Sequence, residues 1–454
     1  MRAIASPFGR SGTLKELRVS SSLFEIAYAA ATQRLCLFTG TGFSKAVSAN
    51  EAPGWQNLLE QICDCLPDGG GLQASLFPVA GVPPLSLEEA AQVIALRLTR
   101  VDVNINDRIT QIIQSLKVKG DVAEVGKFYA NHSFRVITTN YDKLSEQLAG
   151  PDRVQSIAPG MPIPRSSAAV KVYHVHGSVD SPENLVVTSD DYFRFMNSDS
   201  YFSRKLSTIL HENTVVILGY SLADTNLKRI INDYKTFANN HVIGSNLFFV
   251  SRKAVDQVIK DFYFHSFGIR VIDGLEVGQF FAKLNWQVGR VATVVEESLE
   301  SIENVMNKGY RFVEAFIKLE DSFFQVIASL SAKGFSLKNP KVVAVIGDFL
   351  ERKRTFTLVP GAWEQYDHLA NWLIHLGALF EVGNTSIRDV YLNAVGRSMA
   401  TMSKEKRLGY SWQAYKLWQS NWASISAANR LLIREYITTR KVGSDAQFIV
   451  DSLN

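Results

Sequence analysis

The sequence predicts an α/β protein, a doubly wound parallel sheet followed by an α-helical C-terminal region. Two observations carry the sheet. Short apolar runs recur between Leu35 and Ile272, as expected of strands buried on both faces. Helical apolar patterns separate several of them, and parallel strands need such crossovers. The helical region rests on a third observation: beyond about Leu284 the strand-like runs thin out and amphipathic helical stretches dominate.

Taken in order, residues 1–21 are rich in Ser, Gly and Arg without periodicity, which predicts a mobile arm or an oligomer contact. A helical pattern from Ser22 to Arg34 feeds the apolar run Leu35-Cys36-Leu37-Phe38, read as the first buried strand. Pro67 to Pro84 is rich in Gly and Pro and reads as a loop. Helices are predicted over Leu87–Leu98 and Ile105–Val118. Strands are predicted over Phe134–Thr139, Val170–Val175, Leu185–Thr188, Thr214–Leu218, Leu247–Val250 and Ile269–Ile272. The later helical stretches include Val294–Ile317, Trp363–Leu379 and Trp412–Trp422. The boundary falls near residues 285–295, giving an α/β domain over 22–288 and a helical domain over 289–454.

Composition narrows the class. A chain of 454 residues is about three times the usual ~150-residue domain, so two or three domains are expected. With 46% apolar and 20% charged residues it is not a disordered chain. A net charge of +4 is too small to argue for direct nucleic-acid binding. Three cysteines make neither a disulfide framework nor a four-cysteine zinc site, so no metal is expected and a reducing compartment is. The sequence offers neither a membrane-spanning run nor a secretory leader, and a soluble cytoplasmic protein is the expectation.

Four motifs stand at predicted strand ends, where open α/β sheets bind ligands. Gly40-Thr41-Gly42-Phe43-Ser44 follows the first strand. Its glycines permit a tight turn and close backbone approach to a pyrophosphate, though a structural βα turn would look similar. Thr138-Thr139-Asn140-Tyr141-Asp142 brings polar side chains to the next strand end, where Asn140 or Asp142 would alternatively cap the following helix. In His174-Val175-His176-Gly177, period-two alternation places both histidines on one strand face. No third metal ligand lies near; His176 suits proton transfer, and His174 reads as a satisfied core histidine. Gly219-Tyr220-Ser221-Leu222-Ala223-Asp224 ends another strand, with Asp224 a candidate helix cap. The strand ending at Val250-Ser251 is placed to touch an adenosine.

In this order and spacing the motifs resemble the sirtuin family, across roughly residues 25–275. Gly40-Thr41-Gly42-Phe43-Ser44 is similar to its Gly-Ala-Gly-x-Ser turn. Thr138 to Asp142 is similar to Thr-Gln-Asn-x-Asp, with Thr139 replacing the glutamine. His176-Gly177 resembles the catalytic His-Gly, and Gly219-Tyr220-Ser221 the Gly-x-Ser. The chain departs from protein deacylases in lacking the four zinc cysteines and the Ile-Pro-Asp-Phe-Arg segment. With Pro53, Trp55 and the phrase Gly219 to Asp224, it resembles instead the sirtuin-like effectors of bacterial antiphage defence.

That resemblance implies a Rossmann-like domain that hydrolyses NAD to nicotinamide and ADP-ribose, with NAD as substrate and no metal. Asn140 would position the ribose or the attacking water, and His176 would be the general base. Asp142 would support the Asn140 loop. Gly40, Thr41, Gly42 and Ser44 would hold the pyrophosphate, while Gly219, Ser221 and Asp224 would contact the phosphate or adenosine side. Some members of this group work beside a HerA-type ATPase. A zinc-free ADP-ribosyltransferase or deacylase, and a non-catalytic NAD or ADP-ribose sensor, are the alternatives. Aromatics at helical spacing (Trp363, Trp372, Trp412, Trp418, Trp422, Phe312, Phe316, Phe323, Phe324) should mostly be core. A domain without catalytic motifs further suggests docking, and hence a homo-oligomer with a regulatory partner.

Overall fold

The computed structural model describes residues 3–4, 21–161, 166–197, 201–221, 246–336 and 339–452. Seven parallel strands form one sheet: β1 (Leu35–Thr39), β2 (Phe134–Thr138), β3 (Val154–Ile157), β4 (Val170–His174), β5 (Thr214–Leu218), β6 (Leu247–Val250) and β7 (Ile269–Ile272). Their order is β3-β4-β2-β1-β5-β6-β7. After β1 the chain builds to one side with β2, β3 and β4, then crosses back to build β5, β6 and β7 on the other. The carboxyl end of β1 is therefore the switch point of the sheet.

Alternation along the strands divides the core. Leu35, Leu37, Val136, Val172, Val216 and Phe248 join the hydrophobic cluster on one face. Cys36, Phe38, Ile137, Tyr173, Ile217 and Phe249 join the cluster on the other. Both faces are covered, so the central strands read as continuous apolar runs. Register fixes where they end. Thr39 pairs with Thr138 and with Leu218, and Thr138 pairs with His174, so four strands stop at one level. Gly40, Thr139, Val175 and Gly219 all leave the sheet there.

Several expectations are corrected. Leu185–Thr188 is not a strand: it follows the 3₁₀ turn Pro182–Asn184 as buried irregular chain, bonded to the His176 carbonyl through Val186 N–H. Val154–Ile157 is the unforeseen edge strand, half-exposed and too polar to betray itself as an apolar run. Gly69–Leu76 is helical despite three leading glycines, and position 69 admits only glycine, since a Cβ there would meet the Cys63 carbonyl oxygen at 2.1 Å. The helix predicted over Ile105–Val118 stops at Ile113. The stretch Val294–Ile317 is broken after Lys308 by Gly309, which has φ +69°.

The segment 285–295, expected as a boundary, lies largely inside the continuous helix Val277–Ala292. That helix packs on the helices Ser21–Ala31 and Ala123–Asn131 of the α/β layer. The C-terminal helices then share the same hydrophobic cluster. Tyr28 Oη lies 2.7 Å from Ser329 Oγ, and the Phe24 and Phe324 rings approach to 6.3 Å. Trp372, Trp418 and Trp422 are buried with Phe312, Phe316, Phe323 and Phe324, whereas Trp363 is exposed. Near the N-terminus, Ala3–Ile4 pairs with Arg311–Phe312; the rest of residues 1–20 lies outside the described residues. No described helix is long and apolar enough to cross a membrane.

Candidate active site

A cavity of about 290 Å³ opens at the switch point. Its walls come from every motif at the four level strand ends: Thr41 and Ser44 after β1, Thr139 to Asp142 after β2, His176 after β4, and Gly219 to Ser221 after β5. Pro53 and Trp55 close one side and Tyr192 another.

The glycines are explained first by protein neighbours. Gly219 has φ +76°, and a Cβ there would lie 2.0 Å from Phe43 N. A Cβ on Gly42 would meet Gly219 Cα at 2.9 Å, and Gly42 N–H donates to the Gly219 carbonyl at 2.9 Å. The β1 and β5 exit loops are thus interlocked backbone to backbone. Gly40 makes room for the Tyr220 ring, whose hydroxyl stands 2.6 Å from Thr139 Oγ1. Close backbone approach, expected toward a pyrophosphate, is already used between the two loops.

Ser44, expected among the phosphate ligands, is hydrogen-bonded to residues of a second motif. Asn140 Nδ2 donates to Ser44 Oγ at 2.7 Å, and Ser44 Oγ donates to Asp142 Oδ2 at 2.7 Å. Asp142 Oδ1 also accepts from Leu144 N–H at 3.1 Å; Asp142 lies one residue ahead of Lys143, which stands at the N-cap position of the helix Leu144–Ala149. Burial raises the Asp142 carboxyl above the ordinary range, against the Ser44 and Leu144 hydrogen bonds.

The two histidines part company because β4 ends at His174 and Val175-His176 is a turn. Strand alternation no longer applies, and Gly177, at φ +90°, completes the change of direction. His174 is fully buried behind the cavity, between the Asn140 carbonyl at 3.0 Å and Glu146 Oε1 at 2.8 Å. Burial works to raise the Glu146 carboxyl, but His174 and Lys143 outweigh it and hold it at about 2. Lys143 in turn reaches Asp180 at 2.6 Å and Ser156 Oγ at 2.7 Å.

His176 lines the cavity itself while only 5% exposed. Tyr192 Oη stands 3.4 Å from its Nδ1, and the Tyr192 and Phe195 rings meet it edge-on at 5.0 and 5.7 Å. Burial pushes its imidazolium down to about 4, with Glu88 opposing weakly, so the ring is neutral near pH 7. A neutral imidazole lining such a cavity can accept a proton.

A larger cavity of about 990 Å³ shares Gly219, Tyr220 and Ser221 with the first. It extends past the ends of β5 and β6, along Lys45, Val250, Ser251, Arg252 and Lys253. The two spaces together follow the strand ends across the switch point. Ser221 faces both, and Asp224 lies outside the described residues. Sequence reasoning missed Tyr192, Glu146 and Lys143, which stand outside the motifs; Lys143 and Glu146 follow Asp142 closely in the chain, and Tyr192 reaches His176 through the fold. Among the described residues, no group of three His, Cys, Asp or Glu side chains is arranged to hold a metal.

A family model described as a SIR2-like domain matches residues 135–272. An NAD(+) hydrolase ThsA of Enterococcus faecium is 33% identical over 104 residues, covering 22% of this chain and 22% of that protein. The NAD(+) hydrolase ThsA of Bacillus cereus (strain MSX-D12) is 26% identical over 210 residues, covering 44% and 40%. Defense-associated sirtuin 2 of Bacillus subtilis is 28% identical over 111 residues, covering 23% and 11%. The chain thus spans well under half the length of the relatives it matches. The residues matched by that model run from within β2 to the end of β7 and include the motifs after β2, β4 and β5.

Proposed function

We propose that this protein is an NAD glycohydrolase, cleaving NAD to nicotinamide and ADP-ribose as an antiphage effector that depletes NAD. The observation carrying the reading is that Asn140 and neutral His176 line one cavity, which shares Gly219, Tyr220 and Ser221 with a second along the β5 and β6 exits. The names of the relatives, two hydrolases of NAD and a defence-associated sirtuin, agree with it.

In this reading the nicotinamide and its ribose occupy the smaller cavity, and the adenosine lies toward Val250 and Ser251. Gly40, Thr41 and Gly42 border the path of the pyrophosphate, Ser221 contacts it between the cavities, and Asp224 serves the adenosine side. Scission of the ribose–nicotinamide bond returns its electron pair to the pyridinium nitrogen, and an oxocarbenium-like ribose remains. Water adds at that carbon and its proton passes to the His176 imidazole. The Asn140 side chain, held by Ser44, orients the ribose or the water. Asp142 fixes Ser44 from behind. No metal takes part.

The whole protein would act in the cytoplasm as a homo-oligomer, its access to NAD controlled by a partner such as a HerA-type ATPase. Purified protein incubated with NAD, with free nicotinamide and ADP-ribose followed by chromatography, tests the activity. Appearance of both products in equal amounts supports hydrolysis. ADP-ribose found only on an added acceptor would favour transfer instead.

A further inference from the structure

Asn140 is held at three points. Its N–H donates to Thr138 Oγ1 at 3.1 Å, and that hydroxyl donates onward to the Thr39 carbonyl at 3.0 Å. Its side-chain amide donates to Ser44. Its carbonyl faces His174 Nδ1, whose opposite nitrogen faces Glu146 Oε1. A backbone carbonyl only accepts, and so does an ionised carboxylate. Glu146 Oε1 also takes the Lys143 ammonium at 2.7 Å, which leaves it in the accepting role. Both nitrogens of His174 therefore face acceptors, an arrangement that only a ring carrying a proton on each nitrogen satisfies.

A buried charge of this kind is poor evidence for stability, because desolvation cancels much of the attraction it gains. The groups around it are arranged to sustain it: the Glu146 carboxylate stands 2.8 Å from Nε2, and Asp180 balances Lys143. What it fixes is the main chain that carries the Asn140 side chain into the cavity. We propose that His174 is a positioning residue for NAD cleavage, acting through the Asn140 carbonyl without touching substrate. This rests on the function proposed above.

Two substitutions separate positioning from mere structure. The amide of His174→Asn falls near the place of Nδ1 and keeps the bond to Asn140 while giving up Glu146. The longer His174→Gln reaches the place of Nε2 and keeps Glu146 while giving up Asn140. Positioning predicts that His174→Gln loses roughly 10–100-fold in kcat with KM changed less than about threefold, whereas His174→Asn stays within about fivefold of wild type. Equal losses in the two variants, or the reverse ranking, overturn the proposal, and thermal melts of both report the stability change separately. Wild-type protein that leaves NAD uncleaved sinks the functional reading and with it the catalytic consequence. The charged ring is then judged alone, by spectra of ¹⁵N-histidine-labelled protein with His174→Gln for assignment. Protonation of both ring nitrogens is expected, and one bare nitrogen overturns it.

Discussion

His176 combines a cavity position with a depressed pKa, and both have measurable consequences. Removing it by His176→Ala should lower NAD cleavage roughly 10²–10⁴-fold with the fold intact, as loss of a general base does. A variant with near-wild-type turnover and normal circular dichroism would move the base elsewhere. Because the folded ring protonates only near 4, against about 6.5 when unfolded, wild-type turnover should be flat from about pH 6 to 8 and fall only in more acidic solution. The same shift bears on stability. Below about pH 6.5 the unfolded chain takes up a proton that the folded ring resists, so stability present above that pH is lost as pH falls toward 4. Between pH 7 and 5 this amounts to about 2 kcal/mol, and buried His375, also pushed down to about 4, adds loss in the same window. Urea unfolding of wild type and His176→Ala at both pH values should show a smaller acid loss in the variant.

At the level of elements, the site depends on two loops held in contact. Gly219→Ala would place a methyl group 2.0 Å from Phe43 N at a left-handed φ, so the β1 and β5 exits must separate. A stability loss of about 3 kcal/mol is expected in denaturant unfolding. A variant as stable as wild type would mean that the loops are not tightly interlocked. Ser44→Ala tests the chain joining the β1 and β2 exits. It deprives Asn140 Nδ2 and Asp142 Oδ2 of their shared hydroxyl, at a cost of about 1–2 kcal/mol. In the proposed reading turnover falls more than tenfold while nucleotide affinity, measured by calorimetry with ADP-ribose, changes little. A selective loss of affinity would return Ser44 to the phosphate-binding role its motif implied.

Across the whole molecule, the C-terminal helices complete the core of the α/β layer. The helix Ser21–Ala31, which leads into β1, packs on Val277–Ala292 and on Ser322–Ala332. Ending the chain at residue 288 would cut Val277–Ala292 inside its last turns and uncover Phe24 and Tyr28, now covered by Phe324 and Ser329. The truncated chain is expected to be insoluble or to bind a hydrophobic dye strongly. A soluble, cooperatively melting fragment would instead establish 22–288 as an independent unit.

The sequence by itself determined the class of fold and most of its strands, because strands buried on both faces must be apolar throughout and announce themselves. It also determined that polar motifs follow the strands, because glycines and polar residues end the apolar runs; the register that brings Gly40, Thr139, Val175 and Gly219 to one level belongs to the fold. It misread Leu185–Thr188, an apolar segment buried as irregular chain, and passed over polar Val154–Ile157, because burial and strand pairing are separate properties that one run of residues cannot distinguish. Only the tertiary structure decided the division of labour between His174 and His176. Two residues apart, they differ because the strand stops between them, sending one ring against Glu146 and the other into the cavity. The joining of Ser44 to Asn140 and Asp142, the facing of Gly42 and Gly219, and the packing of Tyr192 on His176 were likewise decided there. The first two bring together residues about a hundred or more positions apart through the crossing of strands at β1, the third residues 16 apart after β4, and no local pattern records which side chain will arrive.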